Sequence, residues 1–346
     1  FYKPFEAWAH NSEWTMSLPK GDSVECVAVG DHWCAASTSS GFVRCFRSSG
    51  LQLTPMLSPG PVVAMAASGS SLVVVYHKGS PMSPAQGGTQ QLGFVLYDVD
   101  TNPSNPLSCV GLVPRETTRG NLPLAGTDNL LEWIGFDEMQ RLYSFDSQGR
   151  LFCLSPNDLK TWMLSMDTKN SRDPKATLRS NEEAHWIVGI SRGHAMSTVC
   201  KGREKVDRQP RTSPKPLLTQ IALGSGLLLQ RGNGGSNGGA DQLSMLEGKF
   251  LRKATAYSQQ RRYEQETEAS MLSGSMLVKA QAVLDRENLQ LMQSCLKSEN
   301  STMALDLASR LHLEKSFVIA MKLARTMNQE TLATKMYELM QMRMEA

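Results

Sequence analysis

Two textures of apolar residues divide the chain. From Val24 to about Leu229 they come in short runs: VECVAVG, FVRCF, VVAMAASG, LVVVYH, LGFVLYDV, LEWIGF, RLYSF, RLFCL, HWIVGI and LLTQIAL. The separators, such as Ser39-Ser40-Gly41, Ser48-Ser49-Gly50, Asp146-Ser147-Gln148-Gly149 and Ser225-Gly226, supply the positive φ angles of tight turns. No helical period fits between the runs, and short strands without crossover helices predict an all-β sandwich, barrel or propeller. A weak repeat favours the propeller. An apolar run closing on glycine, a turn, a second run, a Ser/Gly turn and a third run recur as VECVAVG…WCAAST…FVRCF, VVAMAASG…LVVVYH…GFVLYDV and LEWIGF…RLYSFD…RLFCLS.

After Gly239 the period changes. Leu277, Ala280, Leu284, Leu291 and Cys295 share one helical face; Phe317, Ala320, Met321 and Ala324 share another; Leu332, Met336, Leu339 and Met340 a third. Ser301 and Asn328 stand where helix caps belong. The helix from about Glu314 to Met327 carries a second apolar side, Ile319, Leu323 and Met327, which predicts burial between neighbours. The expected organisation is a β-propeller over 1–230, a Gly-rich linker over 231–240 and an all-α helical bundle over 241–346.

Candidate chemistry narrows the function by exclusion. The loop GNGGSNGGAD tempts a phosphate reading, but a dinucleotide fingerprint from Gly232 needs glycine where Asn237 stands. A P-loop needs Lys-Ser/Thr where Ala240-Asp241 stands, so a flexible joint is the better account. His10, His32, His77, His185, His194 and His312 show no paired spacing, no Cys-x-x-Cys occurs, and no Gly-x-Ser-x-Gly elbow is present. Glu182 and Glu183 read as solvated acids. Neither a catalytic residue, a metal nor a cofactor is expected.

Charge and composition add little. The 346 residues carry a net charge of +3, too small for a general polyanion binder. Seven scattered cysteines suit a reducing compartment. No apolar run reaches the roughly 18 residues that cross a bilayer, so no membrane partner is expected. The start FYKPFEAW lacks a signal-peptide pattern, and its first residue, Phe, suggests a piece of a longer polypeptide. Two stretches keep a binding reading. Lys201, Arg203, Lys205, Arg208, Arg211 and Lys215 sit in a Pro-containing loop that can follow a phosphate backbone, although Glu204 and Asp207 interrupt it. More than half of the 19 methionines lie in the helical third, where thioethers suit a groove for amphipathic helices as well as a core.

Particular residues then matter more than texture. Gly60-Pro61-Val62-Val63-Ala64-Met65, Val75-Tyr76-His77-Lys78-Gly79, Trp133-Ile134-Gly135-Phe136, Trp186-Ile187-Val188-Gly189-Ile190 and Cys200-Lys201-Gly202 occur in this order. Together with ALDLASRLHLEKSFVIAMKLARTMNQETLATKMYELM they resemble the SepB-type domain of a replisome adaptor family. That family is known as chromosome transmission fidelity four in yeast and as acidic nucleoplasmic DNA-binding protein, or WD-repeat and HMG-box DNA-binding protein, in vertebrates. The resemblance implies a six-bladed propeller with a helical bundle, a homotrimer without catalytic activity, and a nuclear place at the replication fork. It also implies that the protein links the GINS complex of the replicative helicase to DNA polymerase alpha-primase and other client peptides. The family's propeller normally begins well before residues matching Phe5-Glu6-Ala7-Trp8, so about two N-terminal blades are expected to be missing. Phe317, Met321, Leu323, Met336 and Leu339 are the candidates for a client-peptide groove. The alternative function is a DNA-binding module using the basic loop 201–215; an enzyme on a propeller scaffold ranks third.

Overall fold

The computed structural model describes residues 1–3, 13–79, 90–99, 113–124, 129–155, 158–169, 183–201, 218–226, 243, 246–251, 253–254, 257–258 and 273–345. They fall into two compact units, Phe1–Leu164 with Pro174–Ile221, and Ser165–Asp173 with Ala222–Ala346. The tether over 231–240 lies outside the described residues, as do Arg203, Lys205, Arg208, Arg211 and Lys215 of the basic loop.

The first unit is a β-propeller of four described blades, each an antiparallel meander in chain order. Blade 1 is β1 (Val24–Gly30), β2 (Trp33–Thr38), β3 (Phe42–Arg47) and β4 (Met56–Leu57). Blade 2 is β5 (Val62–Ser68), β6 (Ser71–His77), β7 (Leu92–Asp98) and β8 (Arg115–Asn121). Blade 3 is β9 (Leu131–Phe136), β10 (Leu142–Asp146), β11 (Arg150–Leu154) and β12 (Trp162–Asp167). Blade 4 is β13 (Glu183–Ser191), β14 (His194–Lys201) and β15 (Leu218–Ala222). The first strands of the blades, β1, β5, β9 and β13, lie beside one another in that order. The three repeats seen in the sequence are the first three strands of blades 1 to 3.

β6 shows how the blades hold together. Strand side chains alternate between faces, and in SLVVVYH both sets are buried. Leu72, Val74 and Tyr76 pack with Ala28, Trp33, Ala35, Val43 and Cys45 of blade 1. Val73 and Val75 pack with Phe94, Ile134, Leu142 and Leu154, toward blade 3. Adjacent hairpin tips are also linked. The Asp31 N–H and the Trp33 indole N–H both donate to the Gly69 carbonyl, at 3.0 and 2.8 Å. Glu138 Oε1 accepts from the Ser191 hydroxyl and, at 2.7 Å, from the Arg192 N–H.

Blade 3 uses one device twice. Asp137 accepts from the Met139 and Arg141 N–H groups and pairs with the Arg141 guanidinium; Asp146 does the same with Gln148, Arg150 and the Arg150 guanidinium. Each carboxylate thereby closes the hairpin that follows it, and the second turn passes through Gly149 at φ 80°.

In the second unit, helical residues at 246–251 precede α1 (Ser273–Lys297), α2 (Ser301–Ser309), α3 (Glu314–Thr326) and α4 (Glu330–Glu345). Its core joins Leu291, Met292 and Cys295 of α1, Leu307 and Ala308 of α2, Phe317, Ala320, Met321 and Ala324 of α3, and Leu332, Ala333 and Met336 of α4. Two expected caps are corrected. Asn300, not Ser301, caps α2, its side chain accepting from the Met303 N–H at 3.2 Å. Asn328 does not start α4: it takes the left-handed conformation, φ 57°, just past the end of α3. Its N–H donates to Arg325 O and that of Gln329 to Ala324 O, both at 3.0 Å, which is the Schellman closure of a helix end. Asparagine tolerates that conformation better than most residues because its short polar side chain can hydrogen-bond locally.

Candidate functional site

The helical unit carries a shallow groove of about 290 Å³ between α1 and α3. One wall is Ala282, Arg286, Leu289, Gln290 and Gln293 of α1; the other is Leu313 with Ser316, Ile319 and Leu323 of α3. Both walls follow helical spacing, and 282–293 spans roughly 16 Å at 1.5 Å per residue, or three turns. The floor is apolar because Leu289 and Leu323 pack partly into the core beneath. Ile319, however, keeps 47% of its surface exposed.

That exposure corrects the expectation that both apolar sides of α3 are buried. Phe317, Ala320, Met321 and Ala324 turn into the core, while Ile319 stands open at the groove. The five proposed groove residues separate accordingly. Leu323 lines the groove; Phe317, Met321 and Met336 are core residues; Leu339 is half-buried on α4 and outside the groove. Sequence reasoning missed Ala282, Arg286, Gln290 and Gln293, although their i, i+4, i+8, i+11 recurrence on α1 was a readable signal.

Among the described residues, Arg286 is the one charged residue lining the groove, and no ion pair engages it. By helical spacing Lys279 extends the α1 wall, while the exposed Lys315 and Lys322 flank Ile319 on α3. By the same spacing the exposed Glu314 falls on the opposite face of α3 from Ile319 and Leu323. The groove therefore offers an apolar strip with a cationic rim.

The titratable and nucleophilic groups among the described residues are mostly enclosed. Burial pushes the Cys45 thiol up to about 12 and the Cys153 thiol up to about 11, so neither is a nucleophile at neutral pH. His185 Nδ1 lies 3.2 Å from the Ser197 hydroxyl, but Ser197 is fully buried and bonded to Thr219, out of reach of a substrate. No group of three or more metal-ligating side chains occurs among the described residues. No described helix is long and apolar enough to cross a membrane. Of the basic loop, Lys201 is the last residue of β14, paired in register with Glu183.

Comparison with known proteins covers both units. Residues 1–225 match the family model of the minichromosome loss protein Mcl1, middle region. Residues 244–346 match that of the DNA polymerase alpha-binding protein Ctf4, C-terminal domain. The Arabidopsis thaliana protein ENHANCER OF LHP1 1 is 28% identical over 99% of the chain, a segment amounting to 33% of that protein. The WD repeat and HMG-box DNA-binding protein 1 of Xenopus laevis is 28% identical over 63% of the chain and 17% of its own length. Minichromosome loss protein 1 of Schizosaccharomyces pombe is 25% identical over 64% of the chain and 25% of its own length. The chain thus spans at most about a third of these relatives.

Proposed function

The chain belongs to the family of the minichromosome loss protein Mcl1 and the polymerase-binding protein Ctf4, and from that premise we propose that it is a non-enzymatic adaptor of DNA replication. In this reading the propeller, residues 1–230, is an assembly platform. The stretch 231–240 is a linker, and the bundle, 241–346, captures client peptides. The clients are replication proteins of the nucleus: DNA polymerase alpha-primase, the GINS complex of the replicative helicase and others. A homotrimer would present three bundles, so weak peptide contacts would gain from multivalency.

The observation that carries the reading is the open α1–α3 groove, which lies in the segment matched to the C-terminal domain of a DNA polymerase alpha-binding protein. Its dimensions suit an amphipathic helix laid along it, with apolar residues at i, i+3 or i+4 and i+7 over Leu289, Ile319 and Leu323. Arg286 favours a carboxylate on the client's flank.

The test is fluorescence polarisation of short labelled peptides tiling DNA polymerase alpha and the GINS subunits, with light scattering for mass. Saturable binding weakened more than about tenfold by Ile319→Asp, at unchanged melting temperature, is the expected result, since a charge at a central apolar contact removes a hot spot. Peptides that bind equally to the Ile319→Asp chain would refute docking at this groove.

A further inference from the structure

Helix α3 begins without a cap of its own. Its N-cap residue is Leu313, with extended φ/ψ of −101° and 137° and no side-chain acceptor. The N–H of the N-cap residue is among the donors that a helix leaves without a partner, and here it and the N–H before it find an acceptor on another helix. Asp285 of α1, only 1% exposed, accepts from the His312 N–H at 2.9 and 3.1 Å and from the Leu313 N–H at 2.9 Å. His312 Nδ1 lies 3.1 Å from the same carboxylate, and the His312 ring meets Tyr257 edge-on at 4.7 Å. Tyr257 in turn accepts from the Gln281 side-chain amide at 3.0 Å.

Both ends of this link touch the groove. On α1, Ala282, Arg286 and Leu289 stand three residues before, one after and four after Asp285, and all three line the groove. On the other side, Leu313 is both the tethered N-cap residue and part of the opposite wall. A carboxylate bridging the two walls fixes their separation at the Leu313 end, and a preformed groove avoids the ordering cost that a ligand otherwise bears on binding.

We propose that Asp285 is a positioning residue for client docking: it caps α3 from α1 and thereby sets the width of the α1–α3 groove. This rests on the reading of that groove as the docking site. Asparagine at 285 keeps the size but leaves a single, uncharged acceptor oxygen for the His312 and Leu313 N–H groups, and its NH2 takes the place of the oxygen that also accepts from the His312 N–H. The tether at the α3 entry is then weakened, having lost its charge and one of its acceptors, while the core stays packed.

The experiment compares peptide affinity in the full 346-residue chain, measured well below the melting temperature, for Asp285→Asn, Asn288→Ala and Ile319→Asp. Asn288 is the control. It also ties α1 to a neighbour, donating to the Leu307 carbonyl at 2.9 Å, yet it does not line the groove. The expected result is an affinity loss of roughly tenfold for Asp285→Asn, with wild-type affinity for Asn288→Ala despite a lower melting temperature. Wild-type affinity in Asp285→Asn, or an equal loss in Asn288→Ala, overturns the role of Asp285 while leaving groove docking intact. Unchanged affinity in Ile319→Asp overturns the docking site, and this inference with it.

Discussion

Replacing Asp146 by alanine removes an acceptor from five N–H donors at once. These are Asn129 Nδ2 at 2.9 Å, the Gln148 N–H at 3.0 Å, the Arg150 N–H at 2.9 Å, and Arg150 Nε and Nη2 at 3.0 and 2.8 Å. Asp146 is fully buried, and breaking a buried ion pair from one side costs about 3–5 kcal/mol because the remaining charge is left in a poor environment. The Arg150 side chain keeps 29% of its surface in water, which draws the cost toward the low end, near 3 kcal/mol. For a unit of this size each kcal/mol lowers the melting temperature by roughly 2–4 °C, so a fall of about 6–12 °C is expected. Calorimetry measures it, and near-UV circular dichroism follows the same blade through Trp133 and Trp162. Arg115→Ala is the control: its pair with Asp98 at 3.3 Å is exposed, and such pairs contribute about 0–1 kcal/mol. A loss in Asp146→Ala below about 1 kcal/mol, or no larger than in Arg115→Ala, would show that the carboxylate does not close the β10–β11 hairpin.

Two further outcomes follow from burial and charge. Met336→Ala, at a fully buried core position, is expected to destabilise the helical unit by about 2–5 kcal/mol in chemical denaturation; a change under about 0.5 kcal/mol would remove Met336 from the core. At Asp22, desolvation works against ionisation, but bonds from the Ser40 hydroxyl and N–H and from the Ser39 hydroxyl outweigh it and hold the carboxyl at about 2, below the ordinary 3.8. A folded-state value below the unfolded one means that the contribution is present above about pH 4 and is lost as pH falls through 2, so NMR titration of Asp22 gives a midpoint near 2; a midpoint near 3.8 would mean that the serine contacts are not formed.

Strands with buried side chains were legible and strands held only by their backbone were not. LVVVYH, RLYSF and RLFCL announce β6, β10 and β11 because an apolar run between turn residues has few alternatives. β8, with the sequence RETTRGN, gives no such signal. It is a sheet-edge strand, largely exposed, whose extended form comes from pairing with β7. The groove was half legible. The second apolar side of α3 was visible as Ile319, Leu323 and Met327, but whether another helix covers Ile319 is decided by tertiary packing. The trans cap was illegible, since Asp285 and Leu313 stand 28 residues apart and neither belongs to a local capping pattern.

The double burial of β6 bears on where this protein tolerates being cut or lengthened. Its even-numbered side chains belong to one cluster and its odd-numbered ones to another, so losing blade 2 would bare an apolar face on each neighbour. A gene rearrangement that removed a middle blade would leave two sticky surfaces, whereas added sequence in the loops between strands disturbs neither cluster. Diversity among relatives in the propeller is therefore expected to collect in loop length, with blade number held fixed.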